Sequence, residues 1–241
     1  SDEGDSSSSS DEGDSSSSSD EGDSSSSSDE GDSSSSSDEG DSSSSSDEGD
    51  SSSSTTTEVE IPNIQISSDQ DALGAILAVE EIDFSDPMIV GWIVTYRSVS
   101  VAGDPIEVSG TIVAPNSVAT EPRPVLSIGH STLGVADMCA PSLDYVGDDI
   151  VLTGRAALTQ PLLDDGWIVV TSDFEGLGGP GLHPYIVGES EAQGIFDIVR
   201  AAQTAPTLGA DGPLFVWGHS QGGHAAMHVS QLWQTIAPEL D

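Results

Sequence analysis

A serine late in the chain lies within the pattern G-x-S-x-G. The five residues are Gly218-His219-Ser220-Gln221-Gly222, preceded by the apolar run LFVW and followed by the amphipathic run GGHAAMHVSQLWQTIAPEL. A serine on a sharp turn between a strand and a helix presents its hydroxyl at the edge of a sheet, where it can act as an acyl-transfer nucleophile. The flanking glycines allow the backbone to turn tightly and pack closely. The pattern and its context predict a nucleophile elbow with Ser220 at its tip.

Acyl transfer also needs hydrogen-bond donors for the oxyanion of the tetrahedral intermediate. The backbone N–H of Gln221 would supply one at the start of the following helix, where the helix dipole favours negative charge. The loop in SIGHSTLG follows an earlier predicted strand and could supply the second donor, from Thr132 or Ser131. The alternative interpretation of that loop is an ordinary strand-to-helix connection.

A base and an acid that would activate Ser220 are harder to find. In the usual chain order of this motif the acid and then the histidine follow the serine. Three histidines precede Ser220 and two follow it on the predicted helix: His130, His183, His219, His224 and His228. The last two have an i, i+4 spacing that can bind zinc, but no third ligand is evident, so we expect the polar face of a helix and neither metal nor cofactor. Glu239 and Asp241 lie at the end of that helix and are poor candidates for the acid.

Other reactive side chains have simpler interpretations. Asp173 and His183 flank the loop DFEGLGGPGLHPY, where we expect them to shape the loop rather than form a triad. Cys139 has no adjacent basic group and is expected to be a packed small residue. The four arginines are expected to be scattered surface charges.

The chain contains two compositionally different parts. Six copies of SDEGDSSSS fill residues 1–54 and carry neither a basic nor an apolar side chain. Such a segment cannot bury enough apolar surface to fold, so residues 1–57 are predicted to be a disordered linker and residues 58–241 a folded domain. The linker could act as a surface stalk or as a solubility tail.

The charge balance excludes several classes of partner. The chain carries 43 acidic residues against four arginines and no lysine, for a formal net charge of −39. Nucleic acids and anionic membrane faces are bound by basic side chains, so neither is expected as a partner. No apolar run approaches the roughly 18 residues of a membrane span. A single cysteine excludes an intrachain disulfide, and the oligomeric state stays open.

Strand-like and helix-like runs alternate through the folded part. A hairpin is predicted for the two runs MIVGWIVTYRSVSV and IEVSGTIVAP. Buried strands are predicted for RPVLSIGH, GWIVVTSDF and PLFVWGHS, and a helix is predicted for SEAQGIFDIVRAAQTA. Residues 69–83 could be a helix or a strand. Alternation of this kind is typical of an α/β fold with a mostly parallel sheet and flanking helices.

Four segments resemble the secretory lipase family, the lipase-A-like α/β-hydrolases. They are TYRSVSVAGDPIEVSGTIVAP, GHSTLGVADMCAPS, GWIVVTSDFEGLGGPGLHPYIVGESEAQGIFDIVRAA and VWGHSQGGHAAM, in family order. The resemblance implies an esterase or lipase that forms an acyl-enzyme, with the lid, the acid and the histidine beyond Asp241. The chain is then truncated after the nucleophile helix, which would leave LFVW as an open, aggregation-prone edge. Ser131 stands where the family usually has glycine, which weakens the assignment of Thr132.

Three functions are therefore weighed for the chain. The first is ester hydrolysis acting on a small-molecule ester or a lipid. The second is a surface stalk that carries a catalytically inactive hydrolase-like binding domain. The third is a peptidase or another acyl transferase on the same fold. The acidity and the spacer favour an extracellular or cell-envelope location.

Overall fold

The computed structural model describes residues 61–144 and 156–240. The acidic repeat, the predicted domain boundary between residues 57 and 58, and residues 145–155 of a predicted partly helical stretch lie outside these ranges. No helix within them is long and apolar enough to cross a membrane.

The described residues form one mixed sheet of six strands. The strands β1 to β6 span Ile76–Ile82, Ile89–Val99, Pro105–Pro115, Val125–Gly129, Ile168–Ser172 and Leu214–Gly218. Their spatial order is β1-β2-β3-β5-β4-β6. The first three strands and the β3–β5 pair are antiparallel, whereas β4 runs parallel to both β5 and β6. The predicted hairpin is confirmed as β2 and β3, and residues 69–83 contain a strand rather than a helix.

Strands β4 and β5 are short and apolar, and all of their residues are buried, because both faces of the sheet are covered there. Successive side chains on a strand point to opposite faces. Val125 and Val170 accordingly pack in the larger core with α2, while Leu126 and Val169 pack on the other face with Leu163 of α1. The helices α1 to α3 span Ala156–Asp164, Gly188–Gln203 and Gln221–Ile236. Short 3₁₀ turns occur at Asp137–Cys139 and Pro141–Asp144.

The two long helices differ in how much of their surface is covered. Almost every residue of α2 is buried, because α2 contacts strands of the sheet and also α3. In α3 only four residues are buried: Gln221, Gly222, Ala225 and Val229. Strand β6 pairs with β4 alone among the described strands, and Phe215 and Trp217 of β6 are exposed. The first turn of α3, in contrast, packs closely against the end of β4 at Gly129.

The expectation that the arginines are scattered surface charges is wrong for Arg200. Its side chain is only 12% exposed, and its guanidinium lies 2.6 Å from Asp197 Oδ1 and 2.5 Å from Glu239 Oε1. Burial raises the pKa of Asp197, while hydrogen bonds from Ser98, Gln193 and Arg200 act in the opposite direction. This pairing ties α2 to the end of α3, because an ionised carboxylate is buried at such a site only with a partner.

Candidate active site

Ser220 lies on a two-residue connection between β6 and α3. The strand ends at Gly218 and the helix begins at Gln221, so the chain reverses within His219 and Ser220. Ser220 has φ 55° and ψ −116°, and its side chain is exposed. A non-glycine residue in this region costs on the order of 1–3 kcal/mol and persists only where its surroundings enforce the conformation. The turn therefore stores strain at the one residue that the sequence predicts to be reactive.

Three glycines provide the surroundings that hold this turn. A Cβ atom at Gly222 would overlap the carbonyl group of Gly129 at the end of β4, and a Cβ at Gly218 would overlap the backbone of Gly222. A Cβ at Gly129 would lie 2.8 Å from Gly222 Cα. The ends of β4 and β6 thus meet the first turn of α3 backbone to backbone. Any side chain at these positions would move that turn.

The start of α3 presents a backbone donor beside Ser220. The N–H of Gly222 donates to His219 O at 3.0 Å, and the N–H of His224 donates to Ser220 O at 3.0 Å. In the described part of the chain, no acceptor is paired with the N–H of Gln221. Unpaired amides at a helix N-terminus attract negative charge. This amide can therefore stabilise an anion that forms next to Ser220.

The side chain of Gln221 joins two further residues. It is 1% exposed, and its Nε2 donates to His183 Nε2 at 2.8 Å. His183 Nδ1 in turn donates to the carbonyl of Glu175 at 2.8 Å. Because a carbonyl only accepts and the amide nitrogen only donates, these two contacts match the His183 tautomer with its hydrogen on Nδ1. The sequence does not signal this contact, since it joins residues 38 positions apart.

Thr132 lies on the loop that leaves β4 at the same sheet edge. It is exposed, and its hydroxyl is 3.0 Å from Tyr185 Oη, which lies on the loop between β5 and α2. His130, at the base of the Thr132 loop, is buried and donates from Nδ1 to Ser131 O at 2.7 Å. The carboxyl ends of parallel strands meet at one edge, so Ser220 and the Thr132 loop share that edge.

None of the hydrogen bonds in residues 61–144 and 156–240 joins a histidine ring to the Ser220 hydroxyl. The buried Asp173 accepts hydrogen bonds from Ser109 Oγ at 2.5 Å, from Ser142 N at 2.9 Å and from Ser142 Oγ. Its carboxylate, directly after β5, thus joins Ser109 in the middle of β3 to the 3₁₀ turn at Ser142. His183 bonds elsewhere, so Asp173 and His183 do not form a triad here.

His224 and His228 do more than line the polar face of a helix. His224 Nδ1 is 2.6 Å from Glu191 Oε2, and the rings of His224 and His228 have centroids 4.5 Å apart. Glu191 is fully buried on α2. The His224 side chain is 31% exposed, so α2 covers the predicted polar face only in part. No group of three possible ligands in the described ranges is arranged to hold a metal ion.

An apolar groove lies away from the Ser220 turn. Phe196, Leu214, Val216, Val229 and Trp233 line it, between β6, α2 and α3. Ser220 does not line the groove. The groove lies at the open side of β6, whereas Ser220 lies at the reactive edge of the sheet.

Known proteins with similar sequences are named as lipases. Residues 150–241 match the family described as Secretory lipase. Lipase 9 of Candida albicans is 30% identical over 156 residues, which cover 62% of this chain and 33% of that protein. A Mycobacterium tuberculosis protein named as a probable inactive lipase is 29% identical over 160 residues, which cover 61% of this chain and 33% of that protein. The chain spans about a third of the length of these curated relatives.

The fold has a counterpart among solved structures. The X-ray structure of Candida antarctica lipase A in its closed state superposes with a TM-score of 0.59 at 25% identity, covering 70% of this chain and 40% of that one. The mixed sheet with flanking helices and the strand–turn–helix at Ser220 agree with that likeness. Residues 150–241 of this chain thus resemble the secretory lipase family, and the chain has an α/β-hydrolase fold.

Proposed function

We propose that this chain contributes the nucleophile and the oxyanion donors of a serine ester hydrolase. The observation that carries the proposal is the strained conformation of Ser220 at the start of α3, enforced by the close backbone contacts of Gly218 and Gly222. A fold alone hosts many functions, whereas a strained serine beside an unpaired helix amide is a feature of a site.

The proposed reaction is acyl transfer in two steps. Ser220 Oγ attacks the ester carbonyl while a histidine takes the hydroxyl proton, and the same histidine returns that proton to the departing alcohol. Water then attacks the acyl-enzyme and releases the acid. The N–H groups of Gln221 and Thr132 hold the oxyanion in both steps. The histidine and its acid are proposed to follow Asp241 in the complete protein, since no described histidine reaches Ser220.

The substrate is proposed to be an apolar ester, such as a lipid. Large apolar side chains are exposed on the loops that leave β4 and β5 near the reactive edge: Leu133, Val135, Met138, Leu182 and Ile186. Exposed apolar side chains on these loops fit an acyl chain better than a polar substrate. The net charge of −39 favours neutral substrates over anionic ones. An extracellular or cell-envelope location is proposed from the family and the acidic composition.

Substitution of Ser220 tests the proposal. We expect the complete gene product to hydrolyse a short-chain p-nitrophenyl ester, and Ser220→Ala to lower kcat by about 10⁴-fold or more. Ser230→Ala is the matched control, because Ser230 lies exposed on the same helix and donates to Met227 O. A Ser220→Ala variant that hydrolyses at the wild-type rate would refute the nucleophile.

A second candidate is a binding domain without catalysis. The similarity to a protein named as a probable inactive lipase favours it. If the wild-type gene product is folded but hydrolyses none of a panel of esters, amides and thioesters, this second candidate replaces the first. Hydrolysis of amides in preference to esters would instead indicate a peptidase on the same fold.

A further inference from the structure

The mechanism proposed above uses only the backbone of Gln221, yet its side chain is among the most buried polar groups in the fold. It is 1% exposed, and its Oε1 atom has no hydrogen-bond partner among the described residues. Leaving a buried acceptor unpaired costs about 1–3 kcal/mol. A side chain that costs stability in this position calls for a reason other than stability.

The partner of this side chain is held rigidly. His183 is 8% exposed, and its ring is nearly parallel to that of Phe174, with an interplanar angle of 9°. Its Nδ1–H is bound to the carbonyl of Glu175. The Glu175 carboxylate accepts hydrogen bonds from Ser190 Oγ at 2.6 Å and from Val101 N at 3.3 Å. The imidazole therefore presents its Nε2 lone pair to Gln221 in one fixed direction.

The helix holds the peptide between Ser220 and Gln221 at one end only. Its carbonyl accepts a hydrogen bond from the N–H of His224 at 3.0 Å, whereas its N–H makes none of the described backbone hydrogen bonds. The hydrogen bond from the Gln221 side chain to His183 adds a second restraint, on the residue that carries this N–H. His183 is thus placed to hold the donor and not merely to fill space.

We propose that His183 is a positioning residue of the oxyanion site, which acts by anchoring the Gln221 side chain. This inference rests on the proposed function, because it assigns the anchor to a backbone donor of that reaction. His183 touches neither substrate nor Ser220. Its effect is on kcat rather than on KM, since the oxyanion forms only after the substrate has bound.

The test compares four variants of the complete gene product on a soluble short-chain ester. His183→Phe keeps a planar ring against Phe174 but removes the acceptor, and we expect kcat to fall about 10- to 100-fold with KM changed less than about twofold. His183→Gln keeps an acceptor within reach of Gln221, and we expect it to restore kcat to within about threefold of the wild type. Gln221→Leu should match His183→Phe, and the double variant should lose no more than either single one.

Glu189→Gln provides the matched control. Glu189 lies at the start of α2, after the loop that carries His183, and is exposed, so this substitution should leave kcat on this ester unchanged. Thermal unfolding of each variant identifies any that is unfolded at the assay temperature. If His183→Phe is unfolded, the comparison of His183→Gln with Gln221→Leu decides, because the proposal requires the first to be active and the second to be impaired.

The failure of this inference is distinguishable from that of the proposed function. Wild-type kcat in folded His183→Phe, or losses that multiply in the double variant, overturn the positioning role while Ser220→Ala remains inactive. A raised KM at constant kcat also overturns it. If Ser220→Ala is as active as the wild type, both the proposed function and this inference are refuted together.

Discussion

The connection after β6 and the loop after β4 leave the sheet at the same edge, but they are held in different ways. The β6 connection has two residues, and the glycine contacts fix it through backbone packing. The loop after β4 is exposed at Thr132 and is held there by one hydrogen bond between two side chains, to Tyr185. A proposed nucleophile and one donor therefore sit on rigid backbone, while the second donor sits on an adjustable segment. Substitutions that change only a side chain should therefore have large effects at the connection after β6 and small effects at the loop after β4.

The most severe test of this difference is Gly222→Ala. The added Cβ would overlap the Gly129 carbonyl, and because neither group can move aside alone, the first turn of α3 must shift. We expect kcat to fall at least about 100-fold, since a displacement near 1 Å at a reacting group has that effect. The free energy of unfolding should fall by about 1–3 kcal/mol. Steady-state kinetics and denaturant unfolding measure the two quantities.

Gly223→Ala is the control for that substitution. It is the next residue on the same helix, and its Cβ would meet no atom closer than 3.4 Å. We expect near-normal activity and a stability unchanged or raised by up to about 1 kcal/mol, because alanine is the better helix former. Equal losses of kcat in Gly222→Ala and Gly223→Ala would show that the close contact between Gly222 and Gly129 is not the cause of the loss.

Two substitutions at Thr132 separate its backbone from its side chain. Thr132→Pro removes the proposed donor N–H, and we expect kcat to fall about 10²- to 10³-fold, as for loss of one oxyanion donor. Thr132→Val keeps the N–H, loses only the hydroxyl bond to Tyr185, and should cost about threefold or less. If Thr132→Pro retains wild-type kcat, the second donor is not Thr132 and the amide of Ser131 becomes the candidate.

Tyr185→Phe should have the smallest effect. It removes the same exposed hydrogen bond from the other side, and an exposed neutral hydrogen bond contributes about 0.5–1.5 kcal/mol at most. We expect kcat to change by about threefold or less, with no further change when Thr132→Val is added. A loss above about tenfold would mean that the loop after β4 is held as firmly as the connection after β6.

Local patterns in the sequence predicted the parts of the fold that depend on neighbouring residues. The strand before Ser220 and the helix after it follow from apolar runs and spacing, and the β2–β3 hairpin follows from two β-rich runs around a short turn. Residues 69–83 stayed ambiguous because the strand β1 within them lies at the sheet edge and pairs only with β2 among the described strands. The proposed roles of Ser220, Gln221 and Thr132 remain predictions.

Contacts between distant segments were not predictable in the same way. The bonds from His183 to Gln221 and from Glu191 to His224 join loops and helices whose relative placement depends on the whole sheet. The ion pair between Asp197 and Arg200 was predictable from the sequence, because residues three positions apart on a helix are neighbours. The second partner of Arg200 was not predictable in this way, because Glu239 lies 39 residues further along the chain.

Tryptophan fluorescence can report on the open side of β6. Trp92 is 2% exposed in the core, whereas Trp217 on β6 is 45% exposed and Trp233, which lines the apolar groove, is 39% exposed. A polypeptide that covers the open side of β6 would exclude water from these two indoles and shift the fluorescence emission to shorter wavelengths. An acyl group on Ser220 lies at another edge of the sheet and should leave the emission nearly unchanged. Intrinsic fluorescence can thus follow assembly on this side of the sheet independently of the chemistry at the reactive edge.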